Sequence, residues 1–375
     1  MSASTRLVVV GGGIVAASVA YHLTRQHAAV VIIEGQRAGA ATSAGAGIVC
    51  PWTIPVDDPQ YRLSADGAGY YPELLAMLAE DGQTETGYAQ VGTMCVADDA
   101  EPLREIAGLL RARRADRPEI GEVTELGPGE PQETFAPLRP DLAGIWISGG
   151  ARVDGRAVRD CMLQAAARRG ARLMHGDAVL DQAARRVAGV TVGSEHISAD
   201  AVIVAAGAWT AEVCAATGPQ LPIRPLRGQI VHAKLPTADT ASWPVVLPPA
   251  DEVYLLGFPA GRVVIGATWE DVGFEYRTTV AGVGDLLAAA MRLAPGLRQA
   301  TLLETRIGFR PVTSDGRPLL GQLCDGLFVA AGNGPEGLTA GPWTGKAAAM
   351  IALGLPPPTD IAPFHPARFQ PASSA

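Results

Sequence analysis

The sequence predicts an α/β fold of two interleaved domains, one on a parallel sheet of βαβ units and one an α+β unit on a mainly antiparallel sheet. Three observations carry this. The apolar run "LVVV" at 7–10 leads into Gly11, Gly12 and Gly13, and small and apolar residues then continue at helical spacing. Two later hydrophobic strands, at 200–209 and 326–334, also end in glycine. Between 220 and 275 the pattern changes to short β runs, "RGQIVHAKL", "VYLLGF" and "RVVIGATW", which suit antiparallel pairing. A chain of 375 residues, 48% hydrophobic and 18% charged, can bury a core for more than one domain.

In order along the chain, 6–10 reads as a buried strand, 14–25 as a helix and 29–34, "AVVIIE", as a second buried strand ending in an acid. The stretch 39–51 is too rich in Gly, Ala, Ser and Thr for a regular element. Residues 60–80 and 101–115 read as helices, and 118–150, with its many prolines and glycines, as loops with short strands. An amphipathic helix over 155–169 precedes a strand at 171–175. Helices are also predicted at 280–294 and 338–353. The Pro- and Ser-rich tail from 355 is expected to lack regular structure.

Net charge is −8, and no basic stripe is visible, which argues against a nucleic-acid or anionic-membrane partner. The densest basic run, Arg111, Arg113, Arg114 and Arg117, is interrupted by Asp116 and reads as a solvated helix face. Five dispersed cysteines without a CxxC pair read as free thiols of a reducing compartment, so a cytoplasmic location is expected. The six histidines show no metal-ligand spacing. No apolar run is long enough for a transmembrane helix.

Gly11, Gly13 and Ala16 form GxGxxA. The first glycine makes a tight turn, the second lets the backbone approach a pyrophosphate, and the third small residue lets helix pack on strand. The helix N-terminus then faces the phosphates. Glu34 follows at the spacing of an acid that takes ribose hydroxyls, which disfavours NADP. The motif implies a Rossmann-like dinucleotide site and does not choose between NAD and FAD.

Six stretches in order resemble the D-amino acid oxidase superfamily of FAD enzymes, most closely its glycine oxidase and D-amino acid dehydrogenase branch. They are "GAATSAGAGIV", "VDGRAVRDCMLQAAARRGA", "ADAVIVAAGAW", "LPIRPLRGQ", "VYLLGFPAGRVVIGATWEDVGFEYRTT" and "GFRPVTSDGRPLLG". The resemblance spans nearly the whole chain. It implies a GR2-type FAD-binding domain of residues 1–84, 145–216 and 304–375, and a substrate domain of 85–144 and 217–303. It implies non-covalent FAD, held by Gly11, Gly13, Ile14, Val15, Glu34 and Arg37. Thr42, Ser43, Ala46 and Gly47 of the loop after the acid would add contacts, as would Val179, Gly207 and Trp209. At the C-terminal glycine turn, Gly334, Glu336, Gly337, Leu338 and Thr339 would face the flavin ring. The N-terminus of a helix beginning near Leu338 would stabilise negative charge on the reduced ring.

The implied reaction is hydride transfer from an amino acid to flavin N5, giving an imine that hydrolyses to an oxo acid. Such a reaction depends on placement and charge rather than on a strong base. Arg310 matches the family position that grips the substrate carboxylate, a task suited to a planar guanidinium. Tyr254 matches a tyrosine that shares that carboxylate, and its alternative is ordinary packing. Ile48 matches an apolar residue lining the site, with core as the alternative. Asn333 stands where the family often has His, and Arg306 where an aromatic is usual; Arg306 is expected to face solvent. The substrate is expected to be a glycine, D-amino acid or N-alkyl glycine, and the oxidant oxygen or a quinone. A homo-oligomer is left open. Two alternatives stand beside this reading. One is an NAD-linked dehydrogenase, which gives no account of 330–345. The other is a flavin-binding protein with a different substrate or with lost amine turnover.

Overall fold

The computed structural model describes residues 5–183, 186–218, 220–249 and 253–369. Its first turn of chain is the expected one. Strand Arg6–Val10 enters the glycines, helix Ile14–Arg25 returns, and strand Ala29–Glu34 pairs in parallel with the first, Val8 opposite Val31. Alternate strand residues face two different layers. Leu7, Val9, Val30 and Ile32 pack on helical residues such as Ala16, Ala20, Leu23 and Ala348. Val8, Val10 and Ile33 pack instead on Leu180, Val187 and Val190. A strand buried on both faces reads as a continuous apolar run, as this one does.

Among the described residues the parallel sheet has six strands in the order Leu319–Cys324, Leu327–Ala331, Ala201–Val204, Arg6–Val10, Ala29–Glu34 and Arg172–His175, with only the first pair antiparallel. Strand Arg6–Val10 therefore has the next strand of the chain, Ala29–Glu34, on one side and the chain-distant Ala201–Val204 on the other, and the crevice beyond its carboxyl end is the topological switch point where open α/β sheets bind ligands. The second strand predicted at 200–209 is shorter than expected. It ends at Val204, and Gly207–Trp209 forms a 3-10 turn, because Gly207 adopts a φ of +56°. The other face of the sheet is covered by a three-stranded antiparallel sheet, Ala178–Ala183, Arg186–Val192 and Glu195–Ser198, that sequence periodicity did not indicate.

The antiparallel sheet is larger than the 220–275 region suggests. It runs Thr301–Thr313, Ile223–Lys234, Arg262–Gly266, Tyr254–Phe258, Val245–Val246, Thr93–Ala97, Ala143–Ile147 and Val123–Leu126. Val245–Val246 pairs in parallel with Thr93–Ala97, and the other described pairs are antiparallel. The expected boundaries at 144/145 and 303/304 fall inside strands of this sheet. One face buries Val231, Leu255 and Val263 against Leu286 and Ala290 of helix Val280–Leu293. The opposite face carries Ile230, Tyr254 and Arg310 toward the dinucleotide crevice.

Three further expectations are corrected. The 39–51 stretch contains a helical turn, Ala41–Ala44, and a two-residue strand, Ile48–Val49, that pairs with Ala151–Arg152; small residues fit there because the turn lies against Gly308. The tail forms short 3-10 turns at Ala362–Phe364 and Pro366–Phe369, with Phe364 buried in the helical layer, while 370–375 lie outside the described residues. The arginine run is not simply solvated. Arg113 donates to the carbonyls of Trp52, Ile54 and Val56, and its guanidinium lies 3.7 Å from the Tyr61 ring centre, while Arg117 pairs with Asp66 at 2.7 Å. A planar fork satisfies several loop carbonyls at once, which a solvated side chain would leave to water.

Helix Gly337–Ala352 contains Pro342, whose missing N–H leaves the Leu338 carbonyl without its intrahelical donor. The Tyr71 hydroxyl supplies the bond instead, at 2.5 Å. Tyr71→Phe is expected to lower stability by about 1–3 kcal/mol, the cost of a buried carbonyl left unpaired, read as a fall in the urea midpoint with unchanged slope.

Candidate active site

One cavity of about 400 Å³ runs between the two sheets, and both glycine bends of the sequence line it. Gly11 to Gly13 form one end and Gly332 to Thr339 the other wall. The volume is in the range of small-molecule and cofactor sites.

The glycine end is tightly built. A Cβ on Gly11, whose φ is +137°, would lie 2.2 Å from the Ala205 carbonyl oxygen. A Cβ on Gly12 would strike the Glu34 side chain at 2.3 Å. The Thr42 hydroxyl accepts from the Ile14 N–H at 2.9 Å, which fixes the start of the helix beside the cavity. Glu34 lines the cavity, with Arg159 at 3.9 Å and His175 at 3.8 Å. Ile14 and Val15 line it as well. Arg37 does so while paired with Asp177 and Glu212, its guanidinium 6.0 Å from the Trp209 ring centre. Ala46, Gly47, Gly207 and Trp209 complete this side.

Two of the expected contacts lie elsewhere. Ser43 faces a separate small pocket, and its carbonyl accepts from Arg156. Val179 is 62% exposed, and its neighbours Asp177 and Ala178 line the cavity in its place. Val179 lies in a strand, where successive residues point to opposite faces, so one position decides which side chain is presented; Ser43 lies in the helical turn Ala41–Ala44, on its side away from the cavity.

Arg310 and Tyr254 both line the cavity, and the charge of Arg310 bears on the Tyr254 hydroxyl. Arg310 donates to the Thr268 carbonyl at 3.0 Å and lies 4.4 Å from the Trp269 ring centre. Burial pushes the Tyr254 hydroxyl up to about 12, opposed by the Arg310 charge, so it is a neutral donor at physiological pH. The sequence reading missed what makes room for this pair. A Cβ on Gly228 would stand 2.5 Å from Arg310 Nη1, and one on Gly266 would stand 2.5 Å from the Tyr254 hydroxyl. It also missed Trp269, Thr53 and Ile54 in the lining; the last two belong to the loop whose carbonyls Arg113 holds. No local signal distinguishes these residues from ordinary sheet and loop positions.

Ile48 lines the cavity, and its carbonyl accepts from the Thr339 hydroxyl at 3.0 Å. Leu338 and Gly337 stand beside it at the start of the C-terminal helix. Asn333 is 3% exposed; its Nδ2 donates to the Thr344 hydroxyl, while its Oδ1 has no partner among the described residues although Asn333 lies at the cavity wall. Arg306 is not in this cavity and is not fully solvated: it pairs with Glu304 beside the small pocket.

Glu336 lines the cavity at the start of the C-terminal helix. Burial raises its carboxyl to about 7, opposed by a hydrogen bond with Thr339. A carboxyl whose folded value exceeds its unfolded value of 4.5 costs stability as pH rises between the two and fully above the higher one. Glu336→Gln is therefore expected to leave the apoprotein Tm unchanged near pH 5 and to raise it at pH 8 relative to the parent, in scanning calorimetry at both pH values.

A glycine cradle at a helix N-terminus, a ribose-spaced acid, and a second glycine turn with an unpartnered buried amide oxygen together define a dinucleotide-dependent oxidoreductase site, and these residues fit FAD. The chain belongs to the FAD dependent oxidoreductase family, whose model matches residues 6–351. It is 41% identical over 365 residues to an uncharacterized oxidoreductase, YurR, of Bacillus subtilis, covering 96% of this chain and 98% of that one. It is 30% identical to a glycine oxidase of Geobacillus kaustophilus over 96% of this chain and 95% of the relative. Among solved structures, the iminodiacetate oxidase IdaA of Chelativorans sp. BNC1 superposes with a TM-score of 0.93 at 44% identity, covering 96% and 99% of the two chains. The protein is thus an FAD-dependent enzyme. No helix among the described residues is long and apolar enough to cross a membrane.

Proposed function

We propose that the protein oxidises a small amino acid with a free carboxylate, of the glycine, D-amino acid or N-alkyl glycine type, to its imine, which water hydrolyses to an oxo acid and ammonia or an amine. The observation that carries this is that Arg310 and Tyr254, a cation and a neutral hydroxyl, line the same cavity as the glycine cradle. The names of two relatives, a glycine oxidase and an iminodiacetate oxidase, support the same substrate class.

Bound FAD supplies the two-electron acceptor. Gly11 to Gly13 with the following helix N-terminus would hold its diphosphate, Glu34 its ribose, and the 332–339 turn its ring end. Arg310 and Tyr254 grip and orient the carboxylate. Thr268 and Trp269 hold the guanidinium in place, so little of its freedom is lost on binding. Ile48 and Leu247 wall the cavity with apolar surface and keep water from the reacting carbon. Among the described residues that line the cavity, the arginines are Arg310 and Arg37, and Arg37 is paired with two acids at the far side.

The test is an anaerobic panel of amino acids and N-alkyl glycines, read as loss of the oxidised flavin band. Rapid bleaching is expected with at least one member; no bleaching with any would favour the alternative of lost amine turnover. Repetition in air with peroxide detection separates oxygen from a quinone as acceptor.

A further inference from the structure

A second, small pocket lies behind residues 42–46, which wall the main cavity, and nothing in the reading above uses it. Its floor is the face of the antiparallel sheet that also carries Ile230 and Arg310, continued along the same strands to His232, Val264, Arg262 and Arg306. Arg156 and Asp154, at the start of helix Gly155–Arg168, close it from the other side.

His232 is 2% exposed, and neither of its ring nitrogens has a hydrogen-bond partner among the described residues. The charges that reach the ring are those of Arg306, Arg262 and Arg156, against Glu304 alone. With burial, they hold the imidazole down at about 4, so it is neutral at physiological pH. The carboxylates here are already engaged: Asp154 pairs with Arg262 at 3.2 Å and Glu304 with Arg306 at 2.5 Å. Arg152 is buried nearby, with its guanidinium 4.6 Å from the Phe258 ring centre and that of Arg262 at 4.1 Å from the same ring. Three guanidinium groups, those of Arg262, Arg306 and Arg156, thus meet two carboxylates around a histidine with no partner among the described residues.

The pocket holds one guanidinium more than it has carboxylates, an excess that an anion would offset. A water could bond to His232 but would leave the positive excess uncompensated. The space holds about one water-sized sphere, too little for a tetrahedral dianion. We propose that this pocket binds one compact monoanion of halide size, held between His232 and the guanidinium groups of Arg262, Arg306 and Arg156. Thr42, Gly45 and Ala46 line both spaces, so the filled pocket braces the segment that walls the cofactor cavity.

Holoenzyme crystals grown in sodium bromide test the position directly. An anomalous bromide peak beside His232 is expected; an ordered water there with no anomalous signal overturns the proposal. In solution, the holoenzyme Tm is measured against sodium chloride, bromide, sulfate and gluconate at constant ionic strength. A saturable rise with chloride and bromide, absent with sulfate and gluconate, is expected. In Arg306→Leu the half-maximal halide concentration is expected to rise at least tenfold. An equal response to sulfate, or an equal halide response in parent and variant, overturns the proposal.

Discussion

Arg310→Leu is expected to raise the Michaelis constant for the best carboxylate substrate about a hundredfold, with FAD content unchanged. A charge-assisted pair in a partly desolvated site is worth about 3 kcal/mol when one partner is removed, and each 1.4 kcal/mol is tenfold. Leucine retains the apolar stem and loses the fork that Thr268 and Trp269 hold. Tyr254 stays beside the emptied position as a neutral donor, so residual binding is expected rather than none. Arg310→Lys is expected to recover only part of the loss, since an ammonium cannot present two parallel donors. The measurement is substrate dependence of anaerobic flavin bleaching. An unchanged Michaelis constant would remove Arg310 from the carboxylate clamp.

Gly11→Ala is expected to give protein that is colourless and poorly folded. The new Cβ would sit 2.2 Å from the Ala205 oxygen and 2.7 Å from its carbonyl carbon. Those are backbone atoms, and the adjoining Ala205 N–H is already bonded to Val10. The φ of +137° adds strain that alanine cannot avoid. Together these place the cost above about 3 kcal/mol, the range of overpacking and special-φ substitutions. Gly13→Ala separates cofactor loss from misfolding. Its Cβ meets only the Thr42 hydroxyl, at 3.2 Å, and its backbone has no positive φ. The variant is expected to keep its Tm as apoprotein while losing FAD on gel filtration, read as the ratio of flavin to protein absorbance. Full retention of FAD by Gly13→Ala would falsify the diphosphate cradle.

The two variants also mark where sequence reading is strong. The strand, glycine turn, helix, strand and acid of residues 6–34 lie within one short stretch, and each step is dictated by local chemistry. Gly11 needs a conformation that L side chains avoid, and Glu34 falls at the end of a strand whose length is set by its apolar run. The weaker readings involve residues whose meaning depends on a neighbour far along the chain. Ser43 and Val179 lie next to lining residues, and only the turn of a short helix in one case and the alternation of a strand in the other direct them away. The 178–198 sheet has half-exposed, polar-interrupted strands, "AVLDQA" and "EHIS", that carry little periodic signal. Arg113 reads as one charge among several until the 52–56 loop folds against it.

What the sequence alone determined is the dinucleotide-binding half of the chemistry: a parallel sheet with a phosphate-facing glycine turn and an acid placed for ribose. These follow from steric limits on the backbone and from hydrophobic periodicity, and both act over a few residues. Only the tertiary structure decided that the bend at 332–339 faces the one at 11–13, that Gly228 and Gly266 clear space for Arg310 and Tyr254, and that three arginines surround a partnerless His232. Those juxtapositions join strands separated by scores of residues. They are set by how two sheets pack against each other, and no local property of the chain encodes that.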